Sequence, residues 1–273
     1  DIFDQKLISS SSYRYRLSMV LSDVACTYLI YDDDRWLCYK SYALEAHNRD
    51  LFSLKDELEL LLGTDKMLNL SFNSVHIRIL TPACTQVPTA LFYEENAYTY
   101  LNSVCASPAT EIVKTDRCPE DIVSIYLVKL DLHQYLQKLW PHATITNLFS
   151  DLISKYYQQA KNNEGNAMYV NFHQNQMQVL VFQQSKLLLV NNYDFQTADD
   201  VAYFTMLVIN QLELHSETIA LSLSGHINAK AELYNTIYRY VRNVSFMETN
   251  TPLLYHKEHI FGTYAVHTFF DII

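Results

Sequence analysis

Histidines supply the side chains of this sequence that are best suited to chemistry, in two arrangements. His256 and His259 are three residues apart, so one face of a helix could present both as metal ligands. The same spacing fits two partly exposed histidines on a helix near the end of the sequence, which is the commoner case. His173 and His226 each fall in a loop after a predicted strand, and we expect both to face a cleft. A single histidine in such a loop more often packs or forms a hydrogen bond than binds a ligand.

Other patterns that could support a reaction are weaker. The sequence has no Gly-x-Ser-x-Gly, P-loop or zinc-protease motif. Its five cysteines are an odd number without a Cys-x-x-Cys pair, which indicates neither a disulfide framework nor a zinc ribbon. Asp32, Asp33 and Asp34 fall between two predicted strands and are expected to form a solvated hairpin tip. Asp199 and Asp200 precede a predicted helix and are expected to be its cap and first-turn acids.

The composition is that of a folded protein with an acidic surface. Of its 273 residues 49% are hydrophobic, which is enough for a full core. The formal net charge of −10 disfavours binding to nucleic acid or to anionic membranes. The sequence opens without a signal peptide pattern and contains no apolar run of the roughly 18 residues that a membrane span needs. We therefore expect a cytoplasmic protein in a reducing compartment.

The second half of the sequence repeats the pattern of the first. Each half begins with three consecutive predicted strands, and a helical pattern follows, over 51–62 in the first half and over 202–212 in the second. Leu21 matches Phe172 at an offset of 151 residues, and the flanking strands match at the same offset without a gap. A fixed offset of this kind predicts an α/β fold with mixed sheets, in which two related halves face each other across a cleft.

Further elements interrupt the first half. Asp50 is expected to cap its first helix and Gly63 to end it. After a strand at 75–80, the region 82–160 adds strands and helical patterns, the last of them over 148–160. These additions predict an insertion in the first half.

The polar stretch 161–166 is the expected junction between the halves. We predict a first half at 1–163, with its insertion around 82–160, and a second half at 164–273. Near the end of the sequence, 257–270 is expected to be helical, and the apolar residues 269–273 are expected to dock onto the body.

Three stretches of sequence carry a resemblance to known proteins: Val-Pro-Thr-Ala-Leu-Phe at 87–92, Met-Tyr-Val-Asn-Phe at 168–172 and Leu-Ser-Gly at 223–225. They are similar to a family of Bacteroidetes proteins of unknown function. The order of elements resembles the actin, sugar-kinase and Hsp70 ATPase superfamily, whose ribonuclease H-like halves are each a three-stranded meander followed by helix, strand, helix and strand. Within that superfamily the chain looks nearest to the pilus-assembly and cell-division actin-like proteins.

The resemblance implies where a nucleotide would bind. Active members of the superfamily hold Mg²⁺ through an Asp-x-Gly pattern at the end of the first strand, and they hold phosphates on glycine-containing turns. Here the pattern falls on Val20–Ser22 in one half and on Asn171–His173 in the other, so the acid and the glycine are both missing. A neutral side chain cannot replace the charge of the carboxylate, and a Cβ crowds the phosphate. By position, the candidate cleft residues are Ser22, Asp23, Asn171, His173, Asn175, Ser224, Gly225 and His226.

Loss of these residues from a retained architecture favours a non-catalytic interaction or scaffold protein on a degenerate actin-like ATPase fold. It would have no catalytic residue, metal or cofactor, and its partner would be another protein or a second copy. The alternative is a nucleotide-binding or phosphotransfer protein with an altered site for ATP and Mg²⁺. A third hypothesis retains ligand sensing without turnover. A cleft plugged by Tyr, Phe and His side chains would favour the scaffold, and an open polar cleft would favour a ligand.

Overall fold

Fourteen strands and six α-helices are present in the part of the chain that the structure describes. The computed structural model describes residues 2–3, 13–33, 35–44, 53–105, 110–161, 165–227, 232–247 and 270–272. The strands are β1 Ile2–Phe3, β2 Arg16–Leu21, β3 Ala25–Tyr31, β4 Trp36–Ala43, β5 Ser74–Ile79, β6 Cys84–Pro88, β7 Glu111–Cys118, β8 Ile122–Lys129, β9 Thr144–Asn147, β10 Asn166–His173, β11 Gln176–Gln183, β12 Lys186–Asp194, β13 Ala220–Gly225 and β14 Asn243–Phe246. The helices are α1 Leu54–Thr64, α2 Ala97–Asn102, α3 Leu130–Leu139, α4 Leu148–Ala160, α5 Ala198–Gln211 and α6 Glu232–Tyr240.

Two large sheets have the same internal order. The first sheet runs β1-β4-β3-β2-β5-β9 and the second runs β12-β11-β10-β13-β14. In each sheet a three-stranded antiparallel meander is extended by two strands that lie parallel to its first strand. This shared topology is consistent with the repeat predicted from the sequence, and it places the ends of β2 and β10 at equivalent positions.

A smaller antiparallel sheet, β6-β8-β7, is built from part of the region predicted as an insertion. The apolar side chains of α2 cover this sheet. The rest of the region belongs to the larger body, because β9 pairs with β5 and α3 packs on the first large sheet. The separate unit is therefore shorter than the predicted 82–160, while the predicted division of the chain at 163/164 stays a prediction.

The caps of the helices differ in part from the prediction. Ser53 caps α1 and forms a capping box with Asp56, because its hydroxyl can accept the amide of the third helical residue. The predicted cap, Asp50, lies outside the described residues, and the helix continues past Gly63. In α5, Thr197 is the cap and Asp200 completes the box from within the first turn. The two helices thus begin at similar signals in the two halves.

The acidic turn between β3 and β4 is not uniformly solvated, which corrects the predicted hairpin tip. Asp33 is exposed and pairs with Arg16. Asp32 is buried, and its carboxylate accepts the backbone N–H of Arg35 at 2.9 Å. Asp32 therefore stabilises the turn from inside, in the way that short acidic side chains commonly do.

The large sheets enclose a middle layer. The outer face of the first sheet packs on α1 and α3, and the outer face of the second packs on α5 and α6. Between the inner faces lies α4, whose apolar residues contact both sheets in one continuous core. Phe270 and Ile272 belong to the same core. The candidate site lies in this middle layer.

Candidate functional site

The ends of β10 and β13 bring polar side chains together inside the middle layer. Asn171 lies opposite Ser224 in the parallel register, and the hydroxyl of Ser224 donates to Asn171 Oδ1 at 2.9 Å. The Asn171 amide donates to Gln178 Oε1 at 2.8 Å, and the Tyr156 hydroxyl lies 2.6 Å from Ser224 Oγ. All four side chains are buried. Since the chain itself satisfies these groups, Asn171 and Ser224 have the structure of an internal hydrogen-bond network.

Gly225 is required by a close approach of two strands. Its φ is +78°, and a Cβ built on it would lie 2.1 Å from the carbonyl oxygen of Phe172. No other residue type fits this backbone without a shift of the sheet. The glycine that was expected to serve a ligand thus has a packing reason to be there.

The two candidate histidines contact each other. Their rings stack with centroids 5.6 Å apart, and each binds a different partner. His226 Nε2 lies 2.6 Å from the Tyr39 hydroxyl, which belongs to the first sheet. His173 Nδ1 lies 2.9 Å from a carboxylate oxygen of Asp271. Burial lowers the pKa of His226, while Asp271 opposes that effect. The pair therefore joins the two halves to a segment near the end of the sequence.

That segment, Phe270–Ile272, lies between the two large sheets and is called the 270–272 segment below. Its three residues are at most 5% exposed. The ring of Phe270 stacks on Tyr156 with centroids 5.1 Å apart, and Tyr156 stacks on Tyr169 at 4.6 Å. Lys155 Nζ donates to the backbone carbonyl of Phe270 at 2.8 Å. The expected docking of the apolar end is thus observed for the residues described, whereas the predicted helix over 257–270 lies mostly outside them.

Buried cations from the first half line the other side of the segment. Arg78 is 4% exposed, forms an ion pair with Asp151 and donates to Ser18 Oγ at 2.5 Å. Arg78 also donates to the carbonyl of Ile272 at 3.3 Å, and the Ser18 hydroxyl donates to the same carbonyl. These contacts fix the backbone of the segment as well as its side chains.

The charges of this layer shift each other's pKa values. Burial lowers the pKa of Lys155 to about 7, with Arg78 acting in the same direction. Burial alone would raise the pKa of Asp271, but the hydrogen bond with His173 and the nearby cations outweigh burial and lower it. Asp151 behaves in the same way because of Arg78. Asp271 is therefore ionised and serves as the counter-ion of a cationic cluster.

The remaining candidates do not join this cluster. Ser22 is buried, but its hydroxyl oxygen accepts the backbone N–H of Ala25 at 3.1 Å within its own hairpin. Asp23 and Asn175 are exposed in the turns that follow β2 and β10. The structure thus gathers Asn171, His173, Ser224, Gly225 and His226 and leaves the other three apart.

The sequence matches, over residues 4–244, a family described as Protein of unknown function (DUF3822). The chain belongs to this family. No protein of curated function is found to be similar in sequence.

Two solved structures have the same fold as this DUF3822 chain. One is a Bacteroides thetaiotaomicron protein with an actin-like ATPase fold and unknown function, with a TM-score of 0.77, 23% identity, and coverage of 88% of this chain and 93% of that one. Another is the PilM-PilN type IV pilus biogenesis complex, with a TM-score of 0.57, 10% identity and coverage of 85% and 88%. The predicted family and the mixed α/β, actin-like fold class are confirmed.

Sequence reasoning missed the hydroxyl of Ser18 and four charged residues of the middle layer in this DUF3822 chain: Arg78, Asp151, Lys155 and Asp271. Two of them carried a signal. Arg78 is a charged residue inside an apolar strand, and Asp271 is an acid between apolar neighbours. A charge in such a place needs a buried partner, but the sequence alone did not say which one.

Metal chemistry has no support in the part of the chain that the structure describes. No three His, Cys, Asp or Glu side chains are grouped there as ligands. His256 and His259 lie outside the described residues. Among the described helices, none is long and apolar enough to cross a membrane.

Proposed function

We propose that this protein is a non-catalytic protein-interaction module on a degenerate actin-like fold, with its cleft filled by its own chain. One observation carries the proposal: the 270–272 segment lies between the two large sheets and contacts both. Tyr156, Phe270, His173 and His226 fill that layer with rings. A cleft plugged in this way is the arrangement expected of a scaffold.

The chemistry of the strand ends supports the same proposal. A magnesium nucleotide would need a carboxylate near the end of β10, where Asn171 is already saturated by Ser224 and Gln178. It would also have to separate Asp271 from the buried cations around it. Breaking one partner out of a buried ion pair costs about 3–5 kcal/mol, so nucleotide binding carries a penalty that an open cleft does not have.

Surface features suit a protein partner. Exposed apolar side chains cluster beside the small sheet, namely Leu91, Tyr93 and Tyr98. A groove of ≈ 370 Å³ separates β6 from β12, and each of these strands is at the edge of its sheet. Edge strands offer unpaired backbone groups to an extended partner. The solved PilM-PilN complex is an example of this fold in a protein assembly.

The proposal also includes a cytoplasmic location and a division into halves at 163/164. All five cysteines are unpaired thiols, which suits a reducing compartment. The division is supported by the matching topologies of the two large sheets.

The first test is nucleotide binding to the wild-type chain, measured by calorimetry with and without Mg²⁺. We expect no heat of binding and no thermal shift at millimolar ATP. A dissociation constant below about 100 μM, which is roughly −5.5 kcal/mol, would overturn the proposal. Sedimentation and affinity capture from the native cytosol give the second test, because a strictly monomeric chain that captures nothing would leave the interaction role unsupported.

A specific observation keeps the nucleotide-binding alternative open as a second candidate. Arg78 is buried and Lys155 is half-buried near it, and His173 Nε2 has no hydrogen-bond partner among the described residues. Such a cluster could hold phosphate if the segment moved away. In that case ATP would raise the melting temperature, and His226→Ala would abolish the rise.

A further inference from the structure

The 270–272 segment is held as a ligand is held, by groups from several elements. The residues that contact it, called the segment pocket below, are Ser18 on β2, Arg78 on β5, Lys155 and Tyr156 on α4, and His173 on β10. They bind two backbone carbonyls, one carboxylate and one ring of the segment. Recognition of main-chain carbonyls does not depend on the side chains that follow them. Residues 270–272 form a turn, and another peptide that adopts the same turn could therefore make the same contacts.

The charge of the segment pocket favours an acidic occupant. Arg78 is buried and Lys155 is half-buried, and Asp151 is the carboxylate that pairs with Arg78 inside the protein body. Asp271 supplies the other negative charge, and it faces His173 and His226 as well. Asp271 also opposes the effect of burial on the Lys155 pKa, so an acid at this place helps Lys155 to keep its proton.

Phe270 and Ile272, which flank Asp271, also fit into the segment pocket. The ring of Phe270 completes a stack with Tyr156 and Tyr169, and Ile272 has no exposed surface. Three consecutive residues thus present an aromatic ring, an acid and an aliphatic chain, and each has its own place. His173 Nε2, which is buried and has no partner among the described residues, lies beside the carboxylate position. An occupant that places one more hydrogen-bonding group here would satisfy it.

We propose that the segment pocket is a peptide-recognition site, which this chain fills with its own segment. Its external ligand is a segment of a partner protein that adopts the same turn and has an aromatic residue, an acid and an aliphatic residue in that order. The proposal rests on the interaction role proposed above and names the chemistry of the partner. The covalent segment acts as an internal competitor, so the partner binds when it displaces Phe270–Ile272.

The test uses the 273-residue chain and a labelled peptide of residues 266–273, Val-His-Thr-Phe-Phe-Asp-Ile-Ile, followed by fluorescence anisotropy. In the wild-type chain the tethered segment competes at a high effective concentration. Weakening the tethered segment with Asp271→Asn should improve affinity for the labelled peptide at least tenfold, and Phe270→Ala should act in the same direction. Thermal melts of each variant confirm that it is folded. The Asp271→Asn peptide should bind the same chain at least tenfold more weakly than the native peptide.

A matched control adds Tyr203→Ala to the Asp271→Asn chain. Tyr203 is 63% exposed on α5, on the outer side of the second sheet, so the affinity should not change. A loss of binding in this control would mean that the peptide binds elsewhere, which overturns the proposal. Equal binding of the native and Asn peptides overturns it as well.

Two further outcomes decide between occupants. Displacement of the peptide from the Asp271→Asn chain by millimolar phosphate or ATP would make the pocket a site for small anions and overturn the peptide proposal. Concentration-dependent dimers of the wild-type chain that the peptide dissociates would assign the pocket to a second copy instead. If folded variants bind neither peptide nor ATP, this inference fails while the non-catalytic role stands; ATP binding by the wild-type chain would defeat that role itself.

Discussion

The ends of β2 and β10 occupy equivalent places in the two large sheets, yet they carry different chemistry. Ser22 and His173 are related by the 151-residue offset, and each ends its strand or directly follows it. Ser22 bonds back to Ala25 in its own hairpin, whereas His173 reaches Asp271 in another part of the chain. The hydrogen bond after β2 thus stays within one hairpin, whereas the contact at the end of β10 depends on a distant segment.

On the neighbouring parallel strands, β5 and β13, it is the first half that reaches the 270–272 segment. Val20 lies opposite Arg78, and its repeat partner Asn171 lies opposite Ser224. The first half thus contributes a charge to the middle layer where the second half contributes a hydroxyl. The comparison teaches that the repeat preserves backbone geometry while its polar contacts differ, because Arg78 binds the 270–272 segment and Ser224 binds Asn171 and Tyr156.

The largest difference in stability between equivalent substitutions in the two halves is expected at Arg78. Arg78→Met leaves the half-buried Asp151 without its ion pair and removes the donors of the buried Arg78 to Ser18 and Ile272, and we expect it to lower the free energy of unfolding by about 3–5 kcal/mol. Ser224→Ala, at the equivalent place, should cost about 1–2 kcal/mol because it removes neutral hydrogen bonds. Urea unfolding measures both.

A double-mutant cycle with Asp151→Asn sharpens this prediction. The two residues should show a coupling energy of about 0.5–3 kcal/mol, because Asp151→Asn removes the negative charge that loses its partner when Arg78 is replaced. Additive effects would indicate that Arg78 matters only through packing.

The second-largest effect is expected at Gly225, whose counterpart in the first half is the buried Ile79. Gly225 lies opposite Phe172, and Ile79 lies opposite Leu21, which is the repeat counterpart of Phe172. Gly225→Ala should destabilise the fold by about 2–4 kcal/mol, since it combines a positive φ with a Cβ that clashes with the backbone. Gly63→Ala in α1 is the matched control. It has open space around it and should stabilise by about 0.5–1 kcal/mol. Chemical denaturation that finds the two substitutions alike would show that the strand approach is not rigid.

Lys155 gives the middle layer a pH dependence of its own. Burial lowers its pKa to about 7 in the folded protein, although Asp151 and Asp271 oppose that effect and Arg78 adds to it. The unfolded chain keeps this proton up to about pH 10.4. Between those values the unfolded state binds more protons, so this group makes stability rise with pH by at most about 1.4 kcal/mol per pH unit.

Lys155→Met should remove that rise, measured as the difference in stability between the variant and the wild-type chain from pH 7 to 8.5, because both chains contain the same buried cysteines, which also affect stability in this range. The control is Lys161→Met, an exposed lysine directly after α4. A wild-type slope in Lys155→Met would mean that Lys155 is not the group responsible.

The sequence predicted well what depends on local pattern. The bounds of α4 were predicted as observed, and the three-stranded meanders follow from alternation and turns. It was less successful where a contact joins distant segments. Nothing local pairs His173 with a residue 98 positions away, or Arg78 with the carbonyl of Ile272. Gly225 was predicted as a ligand residue, and only the register of β10 and β13 reveals the close approach that requires a glycine there.

The smallest predicted effect concerns the two turns that follow β2 and β10. Gln174 has a φ of +54°, while its repeat counterpart Asp23 is not among the residues with positive φ. Gln174→Gly should therefore stabilise the protein by about 0.5–1 kcal/mol, because the left-handed conformation costs a side-chain residue more than it costs glycine. The exposed bond from Gln174 to Ser41 offsets part of that gain. Asp23→Gly should destabilise by about 0.5 kcal/mol, since glycine adds only freedom to the unfolded chain. Thermal melts that give both substitutions the same sign would mean that the two turns have the same backbone requirement after all. Opposite signs would mean that the second turn keeps a conformation suited to glycine even though its sequence has none.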